Sequence, residues 1–251
     1  INEINSIIES AIAKKEFNAF FQSSTGVLII CTYLGLNGIF LWLLDVPFNL
    51  IESGYAQLDG LFMLSPWVFM FLIPAIGMKM ISEEKRSGTI EWLFTKPVTE
   101  WQIILGKWIA GMLLVVFALI PTFIYAITLY NLGNPIGNLD FGSLAGSYIG
   151  LLLLASGYLA ISLFASSITE NSIVSFVTGV LFCLFFYIGF EQIANLNALK
   201  FSALFWMKLG MNEHYTSISR GVLDFRDVVY FIALSYAFLS ASKTILKSRN
   251  W

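Results

Sequence analysis

Six stretches of almost unbroken apolar residues, at 26–44, 61–80, 101–130, 143–167, 172–190 and 227–245, alternate with polar connections along the chain. A helix rises 1.5 Å per residue, so about 20 such residues cross a hydrocarbon core of about 30 Å. The runs are continuous rather than alternating, which favours helices over barrel strands because a helix satisfies its own backbone in lipid. The pattern predicts an all-α, polytopic membrane protein with six transmembrane helices. Residues 26–245 form the membrane domain, 1–25 precede it and 246–251 make a tail.

Local chemistry marks several helix ends and bends. Thr99 followed by Gln102 has the spacing of a capping box, with Val98 and Ile103 placed as a hydrophobic staple, so span three starts near Glu100. Asp224 with Asp227, flanked by Leu223 and Val228, is a weaker version before span six. Pro66 and Pro74 in span two and Pro121 in span three each remove a backbone bond and bend their helices, either as hinges or as static kinks. Gly146 and Gly150 let another helix approach span four closely.

Composition agrees with burial in lipid. The chain is 57% apolar and only 12% charged, against about 25% charged in soluble domains. A net charge of -2 gives no basic field for a phosphate backbone, so nucleic acid is not an expected partner. Cys31 and Cys183 lie in apolar runs and read as packing residues, not as a disulfide or metal pair. Residues 1–10 hold Glu3 and Glu9 and no base, unlike a signal peptide, and Ile1 is not expected to be the natural start.

Bases resist translocation more than acids do. Ten of the 14 bases lie before span one, between or at the facing ends of spans two and three, or at and after the end of span six, whereas residues 45–60 and 131–142 hold none. The other four, Lys200, Lys208, Arg220 and Arg226, fall between spans five and six. Both termini and the 82–98 segment are therefore expected on the cytoplasmic side, and 191–226 outside.

Catalytic groups are scarce. His214 is the only histidine, so neither a two-histidine zinc site nor a Ser-His-Asp triad within a span is available. A phosphate-binding loop is missing too, since Gly106-Lys107 is followed by Trp108. The chain is expected to be no enzyme, to hold no metal or cofactor, and to lack the mid-span ionisable groups of ion-coupled transporters.

One polar segment stands apart. Between spans two and three, Glu83, Glu84, Lys85 and Arg86 are followed by Gly88 and by Thr89 to Leu93, where Ile90, Leu93 and Phe94 share one helical face and Glu91 another. This is either a solvated loop that fixes topology or a docking element for a soluble partner. Ile12, Phe17, Phe20 and Phe21 among Lys14, Lys15 and Glu16 suggest an amphipathic helix on the inner leaflet. Phe201, Leu204, Phe205, Trp206 and Leu209 suit a short helix dipping into the outer leaflet, and His214 reads as a hydrogen-bonded loop histidine or as a pH or ligand sensor.

Four segments, Lys14 to Phe17, Ser82 to Val98, Ala165 to Asn171 and Ser217 to Asp227, resemble in order the permease subunits of ABC-2 type transporters. The resemblance implies that 82–98 is a coupling helix resting in a cleft of a separate ATPase subunit, through Glu83, Glu84, Arg86, Gly88, Thr89, Ile90, Glu91, Trp92 and Leu93. It implies a short second cytoplasmic turn at Thr169, Glu170 and Asn171, and an outer segment carrying His214, Arg220, Gly221, Asp224, Arg226 and Asp227. ATP and magnesium would bind the partner ATPase, and a second permease copy or homologue would complete the pathway in the inner membrane. Segments 36–42, 66–69, 72–76 and 132–138 are similar to gliding-motility-associated permeases of Bacteroidetes. That likeness implies a role in gliding and its secretion system, as transporter or as a non-transporting anchor. Ser24 and Thr25 before Gly26 depart from the family's usual proline.

Overall fold

The computed structural model describes residues 2–46, 49–50, 57–95, 98–134, 136–137, 139–196, 203–221 and 224–248, with backbone alone for 2–10 and 93–94. All regular elements among them are helical. Helices α1 (Asn2–Gln22) and α2 (Ser24–Trp42) are separated only by the extended Ser23. Then come α3 (Asp59–Gly77), α4 (Ser82–Arg86), α5 (Thr89–Phe94) and α6 (Glu100–Leu119), which passes through a 3₁₀ turn, Ile120–Thr122, into α7 (Phe123–Leu132). Helix α8 (Phe141–Ile168) precedes α9 (Ser172–Leu184), a π-turn over Phe185–Gly189, and α10 (Phe190–Ala194). Two short helices, α11 (Ala203–Met207) and α12 (Met211–Ile218), lead to α13 (Phe225–Lys247).

Six helical units are long and apolar enough to cross a membrane: Ser24–Trp42, Asp59–Arg86, Glu100–Leu132, Phe141–Ile168, Ser172–Ala194 and Phe225–Lys247. They match the six expected spans within a few residues at most ends. The fourth is the axis of the bundle, with 78% of its apolar window buried against 22% for the fifth and sixth. Helices α3, α6, α9 and α13 all pack around it. Apolar burial offers little drive between helices in lipid, so the small residues along α8 matter because they admit close contact. Ser147, Gly150, Ser156, Gly157 and Ser162 are among its buried positions.

The Thr99 capping box forms: the Gln102 amide donates to Thr99 Oγ1 at 3.4 Å, and Gln102 Oε1 accepts from the Thr99 amide at 2.9 Å. Asp224 caps α13 alone, accepting from the Arg226 amide at 2.9 Å. Its expected staple partner Leu223 lies outside the described residues.

The prolines behave differently from one another. Helix α3 continues through Pro66 and Pro74, and only Pro121 coincides with a change of helix type. A proline at position 66 frees the carbonyl four residues earlier, Phe62 O, and the Tyr215 hydroxyl donates to it at 2.6 Å. Beside Pro121, Thr122 Oγ1 donates to Leu119 O at 2.6 Å and sits 2.9 Å from the Tyr148 hydroxyl. Gly146 and Gly150 do allow a close approach, but the neighbour is α12 and the turn after it: a Cβ on Gly146 would stand 2.9 Å from Gly221 O, and one on Gly150 2.7 Å from Ile218 Cγ2. Gly221 turns at φ +83°, where other residues are strained.

The chain has two distinct ends. Lys243 of α13 lies over the Trp101 ring at 5.6 Å, and Glu16 of α1 pairs with Lys107 of α6, so the second half of α1 and the last turns of α13 lie at the end that carries α4 and α5. Helix α12 and the described parts of the connections after α2 and α7 form the far end.

Candidate coupling site

Helix α4 starts where α3 runs out, and serines close the joint. Ser166 Oγ, near the end of α8, accepts from the Ser82 amide at 2.9 Å and the Ile81 amide at 3.2 Å and donates to Met78 O at 3.1 Å. One hydroxyl thus uses its donor and both lone pairs to satisfy groups that a helix end orphans. The Ser82 hydroxyl also donates to Met78 O and stands 3.3 Å from the Ser172 hydroxyl. Lys85 is buried, and its ammonium donates to Ser167 O. The segment after span two is therefore bolted to the turn between spans four and five. Residues from 78 to 85 meet residues from 166 to 172.

Glu84 faces the other way. Lys107, one to two turns into α6 and 1% exposed, pairs with Glu84 Oε1 at 2.8 Å and with Glu16 Oε1 of α1 at 2.9 Å. A single ammonium joins three elements distant in sequence. The second Glu84 oxygen, Oε2, is buried and has no hydrogen-bond partner among the described residues. A cavity of about 530 Å³ adjoins this cluster, lined by Lys15, Glu16, Lys79, Glu83, Glu84 and Thr89 among others. Phe17 and Phe21 of α1 meet Phe117 of α6 at ring-centroid distances of 5.3 and 6.0 Å. The helix expected on the leaflet thus leans along span three in its second half.

Among the residues expected to face an ATPase, Glu83, Arg86, Thr89, Glu91 and Trp92 are exposed, and Trp92 shows 79% of its surface. Ile90 is buried at 2% and anchors the opposite face of α5, as the helical spacing predicts. Gly88 makes the corner between α4 and α5 at φ +70°. Helix α5 includes Leu93, whose side chain lies outside the described residues, as do Lys96 and Pro97. Glu84 differs from its neighbours: it is only half-exposed, and one of its oxygens is paired with the buried Lys107. In the second turn, Asn171 Oδ1 caps α9 through the Ile173 amide at 2.9 Å, Thr169 Oγ1 accepts from the Asn171 amide at 3.1 Å, and Glu170 is exposed.

The residues expected on the outer side do not form one site. His214 Nδ1 is 2.7 Å from Asp227 Oδ1, its Nε2 is 2.9 Å from Lys208 O, and its ring stacks on Tyr230 at 3.9 Å. It is a histidine engaged on both nitrogens. Gly221 packs on α8, Asp224 and Arg226 belong to the α13 cap, and Arg220 lines a separate cavity. Burial pushes the Tyr215 hydroxyl well above the usual tyrosine range, so it stays a donor to Phe62 O.

Sequence reasoning missed the Lys107 cluster and the serine joint. A lysine inside an apolar run was a usable signal for the first, since such a group is costly without partners. Serines 84 to 90 positions apart carry no comparable mark. No group of three or more His, Cys, Asp or Glu able to hold a metal occurs among the described residues, and both cysteines are free.

Six long apolar helices, four of them packed on the central one between them, define a multi-pass membrane protein. Residues 10–216, from within α1 to within α12, match the model of the ABC-2 family transporter protein, and the chain belongs to that family. It is a transmembrane component of an ABC transporter. No curated protein matches the chain.

Proposed function

We propose that the chain is a permease subunit moved by ATP binding and hydrolysis in a separate ABC ATPase, which docks on α4, α5 and the Thr169 to Asn171 turn. The observation that carries this reading is Trp92: an indole left 79% exposed on a helix whose opposite face is anchored by buried Ile90. Exposed aromatics on a rigid base are the commonest anchors of protein interfaces. Glu83, Arg86 and Glu91 around it supply charges of both signs for register.

The docked element is coupled to the spans behind it. Closure of the ATPase would push α4 and α5, the Lys107 cluster would carry the motion to α1 and α6, and the serine joint would carry it to α8 and α9. Pro66, Pro74 and Pro121 are the places where spans two and three would flex. ATP binding shifts the membrane part only through contacts that differ between its two states. A second permease subunit in the inner membrane, with both termini cytoplasmic, completes this reading. The link to gliding motility and its secretion system rests on the resemblance of four segments alone.

The test is co-purification of the tagged full chain with its ATPase. Trp92→Ala and Glu91→Lys should each cut the co-purifying ATP hydrolysis about thirtyfold, one interface hot spot, with the melting temperature of the membrane part unchanged. Full retention of ATPase in both variants removes the docking role from α5.

A further inference from the structure

A second cavity, about 660 Å³, lies at the far end of the bundle between the start of α3, the π-turn with α10, and α12. Its rim holds three charged residues, Asp59, Glu191 and Arg220. Among the described residues no salt bridge joins Arg220 to either acid, so charges of both signs border one space without neutralising each other. Glu191 Oε2 accepts from Asn212 Nδ2 at 3.0 Å, which fixes that carboxylate on the rim. The wall below is apolar: Trp67 meets Tyr187 edge to face at 5.9 Å, and Met63 and Trp67 are 61% and 46% exposed.

Depth is set by helix geometry. Asp59 opens the second span and Glu191 lies near the end of the fifth, so the rim sits at the membrane boundary. Trp67 is eight residues further along α3, about 12 Å at 1.5 Å per residue. That is the depth at which a phospholipid passes from headgroup to acyl chain, and where tryptophan is favoured.

We propose that this cavity binds a phospholipid with a phosphoethanolamine headgroup, Arg220 holding the phosphate and Glu191 with Asp59 holding the primary amine, while the acyl chains lie on Met63 and Trp67. Two acids and one base disfavour a purely anionic lipid, and Arg220 disfavours a simple organic cation. A guanidinium fork suits phosphate, and carboxylates suit the hydrogens of a primary ammonium. The site is independent of ATPase docking and is testable on the membrane chain alone.

The experiment is native mass spectrometry of the delipidated full chain titrated with phosphatidylethanolamine or phosphatidylglycerol of the same acyl composition. Phosphatidylethanolamine should bind about tenfold more tightly, and Arg220→Ala and Glu191→Gln should each weaken it about tenfold, the worth of one charge-assisted hydrogen bond. Trp67→Ala should weaken both lipids alike. Arg226→Ala, an exposed outer base off the cavity, should change neither. Soluble phosphoethanolamine at equal concentration should leave the lipid in place, since it lacks the chains that meet Trp67. Equal affinity for the two lipids, wild-type binding by Arg220→Ala and Glu191→Gln, or full competition by the soluble headgroup overturns the proposal. So does a chain that pairs with a second copy and loses all lipid preference.

Discussion

Lys107 is the residue on which the near end turns. Its ammonium is almost inaccessible and holds one carboxylate from α1 and one from α4. Lys107→Met would leave two half-buried acids without a base, and because removing one partner of a fully buried ion pair typically costs about 3–5 kcal/mol, this change should cost about 3 kcal/mol, the lower end. Glu16→Gln keeps the Glu84 pair intact and should cost about 1–2 kcal/mol, the loss of one charge-assisted hydrogen bond. Thermal unfolding of the detergent-solubilised chain should rank wild type above Glu16→Gln, and that above Lys107→Met. An unchanged melting temperature for Lys107→Met would show that the cluster does not hold the corner. Charge reversal at Glu84 belongs to the same series. It disturbs the membrane part itself, so Glu91 is the cleaner probe of docking.

At the scale of elements, the join between α3 and α12 rests on a vacancy that proline creates. Tyr215→Phe should leave Phe62 O buried without a donor and cost about 1–3 kcal/mol. In a Pro66→Ala background the restored amide at position 66 can reach that carbonyl, so the same tyrosine change should cost close to nothing. A double-mutant cycle on thermal stability reads the difference, and additive effects would refute the pairing. Element boundaries were legible wherever the chemistry was local. The apolar runs, the Thr99 capping box, the buried Ile90 beside an exposed Glu91, and the glycine pair on α8 all follow from spacing within a few residues. What stayed hidden depends on partners far apart in the chain. Glu84 could not be told from Glu83 until Lys107 stood opposite it, and the glycine pair announced a close neighbour without revealing that it would be α12. The π-turn after α9 has no marker that sequence rules recognise.

The whole molecule is a bundle with α8 at its centre, one end built from α1, α4, α5 and the Asn171 turn, and the other from α12 and its surroundings. Its orientation can be read by a membrane-impermeant thiol reagent in intact cells and in inverted vesicles. Single replacements Trp92→Cys and Glu170→Cys should react only in inverted vesicles, and Ile136→Cys and Glu213→Cys only in intact cells. These four positions are exposed, so their reactivity reports sidedness and not burial. Labelling of position 92 from outside would invert the topology and with it the docking of a cytoplasmic ATPase. The π-turn gives the chain between the two ends an unexpected tolerance of length. Five residues there, Phe185–Gly189, wind more widely than the α-helix on either side. Deleting one of them would let the turn tighten to α-helix, and because five widely wound residues turn the chain about as far as four α-helical ones at about 100° each, everything beyond would keep its phase. Glu191 would stay on Arg220's side of the cavity, and the corner at Asn171, more than a dozen residues upstream, would keep its register as well, whereas the same deletion within the regular turns of α9 would swing Glu191 round by about 100°.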